Sequence, residues 1–295
     1  MTVAEFQDMF AKEVPERSKL QEIRIRAGRP IFIQVDGVER RLKAEADIRL
    51  IRELLEVCSN HSLYAYEDEI RHGFLTIEGG HRVGIAGKVV MEGAQVRTIK
   101  EISGLSVRVA RECLGCADPV IPWLYQNGEI QSALFLSPPG AGKTTMLRDV
   151  VRQLSDGTVY GDGVAVSVVD ERSEIGGMFR GIPQLQLGKR TDVMDACPKS
   201  IGMLMMLRSM APAVMAVDEV GTEEDRNALQ EVMKCGCRML ATVHGADVAD
   251  LKKKRVLREM VADAMFDRYV VLSARPKRGT VVGIYDASFR CLWAG

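Results

Sequence analysis

A short segment near the middle of the chain carries the residues of a phosphate-binding loop. Residues 137–145 read SPPGAGKTT, which fits the pattern G-x-x-x-x-G-K-[ST] except that Ser137 stands at the first position. In such a loop the backbone N–H groups cradle the phosphates, the lysine reaches the β- and γ-phosphates, and the next hydroxyl binds Mg²⁺. We therefore expect Lys143 to contact the phosphates of ATP and Thr144 to bind Mg²⁺. The residues expected to contact the nucleotide are Pro139, Gly140, Ala141, Gly142, Lys143, Thr144 and Thr145.

The serine at the first position of this loop departs from the pattern. Ser137 is expected to end an apolar strand, before the loop wraps the phosphate, and a side chain is tolerated there if φ is negative. Gly140 and Gly142, which lie where the backbone must approach the ligand closely, are both present. We therefore expect Ser137 to tune turnover rather than to prevent nucleotide binding.

A second motif consists of two acids that follow an apolar segment in AVMAVDEVGTEED, residues 213–225. In an open α/β sheet, the carboxyl end of such a strand lies beside the phosphate loop. We expect Asp218 to hold Mg²⁺ through water and Glu219 to orient and deprotonate the attacking water. The alternative is an acidic cap on the next helix. Thr222 is a suitable N-cap and explains the acids that follow it, but it does not explain Asp218 and Glu219.

Two further strands are expected to end in residues that can do chemistry. In VVDERSEIGG, residues 168–177, we expect Asp170 to support Mg²⁺ through water and Glu171 to act in catalysis by positioning water. In LATVHGADV, His244 follows a buried strand, where it would sense the γ-phosphate or relay to the neighbouring strand. A solvated loop and an ordinary turn histidine are the respective alternatives.

Four arginines interleave with apolar residues in the first part of the chain. Surface salt bridges are the usual role of such residues. Alternatively, one or two of them reach the nucleotide of a neighbouring subunit as arginine fingers, which change rates by ~10³–10⁵ in P-loop enzymes. The candidates are Arg82, Arg97, Arg108 and Arg111.

Residues 1–125 are expected to form a smaller α+β N-terminal domain. Helical periodicity marks residues 2–13 and about 46–60. Between them, LQEIRIRAGRPIFIQVDGVERRL alternates apolar and polar residues as strands do, with a hairpin turn at Asp36-Gly37. The connection to the next domain is marked by Pro119, Pro122 and Gly128.

Residues 126–295 are expected to form an α/β domain, a RecA-like P-loop NTPase core with a predominantly parallel sheet. Near-continuous apolar runs alternate with helical segments, which is typical of parallel strands that are covered on both faces. The expected strands are 132–137, 164–170, 213–218 and 238–243, and the expected helices are about 143–155, 199–210 and 223–235. A hairpin is expected to close the chain.

Composition restricts the classes of function. The 295 residues include 40 Lys and Arg and 40 Asp and Glu, and this balance makes nucleic acid an unfavourable main partner. No apolar run approaches the ~20 residues needed to cross a bilayer. The seven cysteines are scattered through a chain too long to need disulfides for stability, which fits a reducing compartment. We therefore expect a cytoplasmic protein without a membrane span.

The order of the motifs resembles that of a known group of motors. A phosphate loop, the acidic segment VVDERSE, an Asp-Glu strand and ATVHG are similar to the motifs of the type II and type IV secretion ATPases and of the pilus-retraction motors. The stretches VDERSEIGG, GGHRVGIAGKVV and GKRTDVMDACPKSIGMLMMLRSMAPAVMAVDEVGTEED resemble the stage III sporulation AA family of endospore-forming Firmicutes. Ala213 departs from this pattern, because the aspartate of a Pro-Asp pair is expected there.

The resemblance implies a Mg²⁺-dependent ATPase that forms a homo-hexameric ring. It would power a transenvelope channel between mother cell and forespore, built by membrane-embedded stage III sporulation proteins. Those partners would recruit it from the cytoplasm to the inner face of a membrane. The residues leave two other functions open: a nucleic-acid-binding P-loop ATPase, and a scaffold whose assembly ATP controls with little turnover.

Overall fold

The computed structural model describes residues 1–60 and 66–295, which form two compact units. The first unit comprises Met1–Arg111 together with Gly177–Gln184. The second comprises Glu112–Gly176 and Leu185–Gly295. Among the described residues, no helix is both long and apolar enough to cross a bilayer.

The first unit is built on an antiparallel six-stranded sheet in the order β3-β2-β1-β6-β5-β4. Its strands are β1 (Leu20–Arg26), β2 (Arg29–Val35), β3 (Val38–Ala46), β4 (Phe74–Ile77), β5 (His81–Glu92) and β6 (Gln95–Arg108). Its helices are α1 (Val3–Glu13), α2 (Ile48–Cys58) and α3 (Glu67–Arg71). The unit therefore has the α+β composition that the sequence predicts.

Local sequence explains how these elements begin and turn. Asp36 and Gly37 both have positive φ, +52° and +80°, and they join β2 to β3 as a hairpin turn. The alternating residues Ile31, Ile33 and Val35 of β2 are buried in the core of the unit. This alternation leaves the opposite side chains of β2 outside the core.

The second unit contains an eight-stranded sheet in the order β15-β12-β16-β17-β9-β18-β19-β20. The six strands from β15 to β18 are parallel, and β19 and β20 add antiparallel neighbours at one edge. These strands are β9 (Ala133–Ser137), β12 (Val166–Asp170), β15 (Thr191–Asp195), β16 (Val214–Val217), β17 (Arg238–His244), β18 (Arg268–Ser273), β19 (Thr280–Asp286) and β20 (Cys291–Ala294). The sheet is predominantly parallel, as the sequence predicts.

Four α-helices cover this sheet, and the chain also forms several short strand pairs. The helices are α4 (Lys143–Asp156), α5 (Lys199–Met210), α6 (Glu223–Lys234) and α7 (Arg255–Ala262). The short strands are β7 (Tyr125–Gln126), β8 (Glu129–Ile130), β10 (Gly157–Thr158), β11 (Gly161–Asp162), β13 (Met178–Phe179) and β14 (Ile182–Pro183). Of these, β13 and β14 belong to the first unit.

Both faces of the parallel sheet are buried, which explains the continuous apolar runs of its strands. Ala133 and Phe135 of β9 belong to the core that contains α4. Leu134 and Leu136 of the same strand belong to the core that contains α5, α6 and α7. Since successive side chains of a strand point to opposite faces, a strand between two cores needs an apolar residue at every position.

The boundary between the two units differs from the one expected at residue 125. The segment 112–125 lies in the second unit, because its apolar residues pack around α4. Asp149 of α4 accepts a 2.8 Å hydrogen bond from the backbone N–H of Ala117. The fully or nearly fully buried residues of this segment are Ala117, Val120, Ile121 and Leu124.

Helix α5 packs so closely on β12 at Gly202 that a larger side chain there should destabilise the protein. A Cβ atom added at Gly202 would lie 2.5 Å from Cγ1 of Val169. Overpacking costs typically about 1–3 kcal/mol, and the contact is short enough to outweigh the ~1 kcal/mol that alanine gains over glycine in a helix. We expect Gly202→Ala to lower the free energy of unfolding by about 1–2 kcal/mol in urea denaturation.

The matched control for this substitution is Gly221→Ala. No heavy atom lies within 4 Å of a Cβ added at Gly221, and its φ is not positive. The control should leave the unfolding midpoint within experimental error of the wild-type value. A Gly202→Ala protein that is as stable as this control would contradict the packing described here.

Candidate active site

The phosphate loop lies between the end of β9 and the start of α4. Gly140 and Gly142 have φ values of +72° and +99°, in the left-handed region that favours glycine. Gly142 is the N-cap of α4, makes no side-chain capping bond, and precedes a first turn without acidic residues. A Cβ added at Gly140 would meet no atom within 4 Å. The loop and the helix N-terminus therefore offer backbone N–H groups to an anion, as phosphate binding requires.

A second loop fixes the conformation of this segment. The N–H of Gly279, between β18 and β19, donates a 2.7 Å hydrogen bond to the carbonyl of Ala141. A Cβ at Gly142 would lie 3.1 Å from the same nitrogen. Ser137, in contrast, has no positive φ, and its hydroxyl donates to the carbonyl of Pro138 at 2.8 Å. The backbone at Ser137 therefore meets the condition under which a side chain is tolerated.

Lys143 is a buried cation at the start of α4, with 5% of its surface exposed. Its Nζ lies 3.0 Å from Nδ1 of His244 and 3.4 Å from the carbonyl of Ser137. His244 reaches this position because it pairs with Ser137 in the register of the neighbouring strands β17 and β9. Burial lowers the pKa of Lys143, while the charges of Asp218 and Glu219 oppose that shift.

Asp218, which follows β16, contacts both the phosphate loop and the neighbouring strand β17. Its Oδ2 accepts a 2.6 Å hydrogen bond from the hydroxyl of Thr144, and its Oδ1 accepts one from the hydroxyl of Thr242. The same Thr242 oxygen accepts the backbone N–H of Glu219 at 2.9 Å. Glu219 has a φ of +55°, which is uncommon for a residue with a side chain. Thr242 thus positions both acids of the Asp-Glu pair.

Both carboxylate oxygens of Glu219 are paired. Oε1 lies 2.9 Å from Nε2 of His244, and Oε2 lies 3.2 Å from Nη1 of Arg172. Because a protonated lysine can only donate, Nδ1 of His244 accepts from Lys143 and Nε2–H donates to Glu219. With Lys143 protonated, these two contacts correspond to a proton on Nε2 of His244. His244, at the end of β17, therefore bridges Lys143 of the phosphate loop and Glu219, which follows β16.

Asp170, expected to support Mg²⁺ through water, has backbone partners. Its carboxylate accepts three N–H bonds of 2.8–2.9 Å from Glu174, Ile175 and Gly176. Burial raises the pKa of Asp170 to about 6, against the lowering effect of these bonds. Arg148 of α4 completes the support by donating to the carbonyls of Ile175 and Glu174 at 2.5 and 2.6 Å. The carboxylate of Asp170 therefore organises the loop that follows β12.

The remaining acid of this loop forms a separate pair. Glu171 forms an ion pair with Lys199, the first residue of α5. Both residues line a small cleft that Asp218 and Glu219 also line. The structure thus brings Glu171 to the same edge of the sheet as the Asp-Glu pair, where the first residue of α5 neutralises its charge.

The residues present fit a magnesium ion that is bound mainly through nucleotide and water. Mg²⁺ prefers oxygen ligands, and it usually keeps several waters and takes only one or two protein carboxylates. The Thr144 hydroxyl and the Asp218 carboxylate, 2.6 Å apart, supply such oxygens next to the phosphate loop. Within residues 1–60 and 66–295, no group of three or more His, Cys, Asp or Glu residues is placed to hold a metal ion.

The four candidate arginine fingers lie in the first unit, where each has a local partner. Arg82 stacks 3.7 Å over the ring of Phe74. Arg111 donates to the carbonyl of Leu20 at 2.8 Å. The other two form ion pairs with long separations, Arg97 with Glu92 and Arg108 with Glu22, each at 3.9 Å.

Sequence reasoning missed three charged residues of the site. Arg172 stands within the acidic motif and pairs with Glu219, but the motif does not indicate which way its side chain points. Lys199 and Arg148 contact the acidic loop from two different helices. Only the spatial arrangement of β12, α4 and α5 brings these residues together. No spacing along the chain marks them.

The two hydrogen bonds of the Thr242 hydroxyl predict that its loss destabilises the protein. Thr242→Val keeps the shape of this buried side chain but leaves the N–H of Glu219 and one oxygen of Asp218 without a partner. An unsatisfied buried polar group costs about 1–3 kcal/mol, so chemical denaturation should show a loss of that size. Thr242→Ser, which retains the hydroxyl, should lose less than half as much. Equal losses in the two variants would show that the methyl group, not the hydroxyl, matters.

Comparison with known proteins places this geometry in context. The chain matches the family described as "Sporulation stage III, protein AA" over residues 1–291. The Stage III sporulation protein AA of Bacillus subtilis (strain 168) is 43% identical over 276 residues, which cover 93% of this chain and 90% of that protein. The Legionella pneumophila ATPase DotB superposes with a TM-score of 0.64 and 14% identity, covering 97% of this chain and 82% of DotB. The pilus retraction motor PilT with bound ADP gives 0.59 and 14%, covering 92% and 78%.

These similarities confirm the fold expected from the sequence. At 14% identity, DotB and PilT share the architecture of a RecA-like core preceded by a smaller domain, and nothing more specific follows from them alone. The family match spans nearly the whole chain, and the Bacillus subtilis protein is similar over almost its full length. The chain therefore belongs to the sporulation stage III protein AA family.

Proposed function

We propose that this protein is a Mg²⁺-dependent ATPase that acts as a motor in sporulation. One observation carries the proposal: a continuous set of contacts joins the phosphate loop to the acids of the neighbouring strands. Thr144 contacts Asp218, and Lys143 contacts His244, which contacts Glu219. Similarity to the ATPase DotB and to the ADP-bound motor PilT supports nucleotide use.

Each residue of this set has a distinct role in the proposed reaction. Bound MgATP supplies the γ-phosphoryl group and a metal charge that balances the negative charge of the transition state. Lys143 and the loop N–H groups bind the phosphates, and Thr144 and Asp218 hold the metal, Asp218 through water. Glu219 orients the attacking water and accepts its proton. Because the oxygens of Glu219 are already paired, its position is fixed before water arrives.

His244 and Arg172 act on Glu219 in this proposal. The Nε2–H of His244 orients one carboxylate oxygen, and Arg172 orients the other. Since His244 also contacts Lys143, a shift of Lys143 toward a phosphate changes the hydrogen bonding of Glu219. His244 would thereby sense the γ-phosphate. Glu171, held by Lys199 in the same cleft, would position a second water.

The cellular role in this proposal follows from the family. The protein would form a homo-hexameric ring in the cytoplasm, and membrane-embedded stage III sporulation proteins would recruit it to the inner face of a membrane. Hydrolysis would power their channel between mother cell and forespore. One or two arginines of the N-terminal domain would complete a neighbouring subunit's site. The candidates remain Arg82, Arg97, Arg108 and Arg111.

Two substitutions test the catalytic assignment. Lys143→Ala should weaken ATP binding and abolish hydrolysis, because it removes the cation that faces the phosphates. Glu219→Gln should retain ATP binding while lowering kcat by roughly 10²–10⁴, the usual contribution of a general base. Phosphate release and calorimetric ATP binding, each measured over a series of protein concentrations, would separate the two effects.

Glu56→Gln is the matched control, since Glu56 is an exposed acid of α2 in the first unit. Its kcat should equal that of the wild type. Hydrolysis at the wild-type rate by Lys143→Ala or Glu219→Gln protein would contradict the assignment. Tight ATP binding with no turnover by the wild type at any protein concentration would instead favour a scaffold. Strong stimulation by DNA or RNA would favour a nucleic-acid-dependent enzyme.

A further inference from the structure

One helix of the second unit has a middle section, residues 201–207, that is apolar on all sides but only partly covered. Helix α5 has the sequence KSIGMLMMLRSM, and Met203 and Met206 bury one face against the sheet. On the outer face, Ile201 and Met205 are 55% and 50% exposed. A helix that is apolar all round is normally buried all round. The outer face of α5 therefore has the composition of a covered surface.

The exposed face of α5 forms one wall of a groove whose other wall is α6. The groove has a volume of about 510 Å³, and Leu204, Met205 and Ala228 contribute to its lining. Ile201 and Met205 lie one turn apart and face the same side of α5. Methionine adapts to irregular apolar partners, so this surface suits a side chain that inserts from outside.

The α6 wall of the groove is acidic. Glu224 and Glu231 line it two helical turns apart, and both are exposed. Among the described residues, Glu224 forms no ion pair, and Glu231 pairs only with the exposed Lys234 of its own helix. The groove therefore combines an apolar floor with an acidic rim, and Arg208 lies on the α5 side.

We propose that the α5–α6 groove binds a short amphipathic helix of a partner protein, with apolar residues toward Ile201 and Met205 and basic residues toward Glu224 and Glu231. Helix-in-groove recognition of this kind uses apolar residues at positions i and i+4 or i and i+7. The stretch from Ile201 to Arg208 is roughly 10 Å long at 1.5 Å per residue, so two to three turns of the partner helix fill it. The binding site is distinct from the nucleotide site.

The two most amphipathic helices of the chain, α2 and α7, do not fit this description. The apolar residues of α2, Leu50, Ile51 and Leu55, are buried in the core of the first unit. Those of α7, Leu257 and Met260, are buried in the second unit. A second copy of the chain would have to expose one of these faces before docking it, or else offer the outer face of α5, where Ile201 and Met205 are exposed. The basic residues of α5 are Lys199 and Arg208. Because Lys199 already pairs with Glu171, Arg208 would have to serve both glutamates of the groove. The charge and shape of the groove therefore favour a helix of a different protein.

A designed peptide tests the proposal without a known partner. The probe is an 18-residue fluorescent helix with leucines at i and i+4 spacing and lysines on both flanks. The acidic version, with glutamate in place of each lysine, is its counterpart. Binding is measured by fluorescence anisotropy, and the methyl signal of Met205 in methyl-¹³C-methionine protein, identified by its loss in Met205→Leu, locates the site. We expect the basic peptide to bind and shift that signal, and the acidic peptide to bind at least tenfold more weakly.

Variants separate the groove from other surfaces. Ile201→Arg should weaken binding at least tenfold, and the double variant Glu224→Gln with Glu231→Gln roughly three- to tenfold, as expected for exposed charge pairs. Val159→Arg is the control, because Val159 is 93% exposed and lies outside the groove. It should bind as the wild type does. Sedimentation of the protein alone should show no self-association that Ile201→Arg abolishes.

Several results would overturn the proposal. These are no binding of the basic peptide, equal binding of the two peptides, and equal binding by the Ile201→Arg and Val159→Arg proteins. Self-association that Ile201→Arg abolishes would assign the groove to a second copy of the chain. All these measurements are made without nucleotide, so they stand or fall independently of the ATPase assignment.

Discussion

The parallel register of the central sheet is the constraint on which the rest of the second unit depends. Because β9, β17, β16 and β12 are parallel neighbours, their carboxyl ends meet at one edge. This edge receives the phosphate loop after Ser137, His244 at the end of β17, and the acids at or just after the ends of β16 and β12. The pairing of His244 with Ser137 brings the histidine within 3.0 Å of Lys143. If one of these strands slipped by one residue against its neighbour, its own side chains would point to the opposite face of the sheet.

The same edge buries charges, and each buried charge has partners that offset its desolvation. Arg148 is 8% exposed and donates to two carbonyls of the acidic loop. Asp170 is 2% exposed and accepts three backbone N–H groups of that loop. Removing one partner of such a pair leaves a buried polar group unsatisfied, which is costly. The loop after β12 is therefore held in one conformation from both sides.

The sequence was informative where function depends on local pattern, and less so where it depends on distant contacts. The loop at residues 137–145, the turn at Asp36-Gly37 and the continuous apolar strands follow from spacing and residue type, and the structure shows all three. The partners of Asp170 could not be read this way, because a carboxylate after a strand looks the same whether it faces solvent or its own loop. The pairs Arg172–Glu219 and Lys199–Glu171 likewise depend on how separate elements meet.

The arrangement of α5 and α6 links the edge that carries the phosphate loop to the outer surface of the unit. Helix α5 begins with Lys199, which pairs with Glu171, and α6 begins shortly after Glu219. Both helices therefore start at the edge of the sheet that carries the phosphate loop and run away from it, and the groove lies along their outer faces. A displacement of one packed helix along another moves its ends as well as its surface, since close-packed interiors transmit strain. A helix bound in the groove would contact α5, whose first residue lines the acidic cleft, and α6, which begins four residues after Glu219. Such a partner would therefore have a mechanical path to the residues around Glu219.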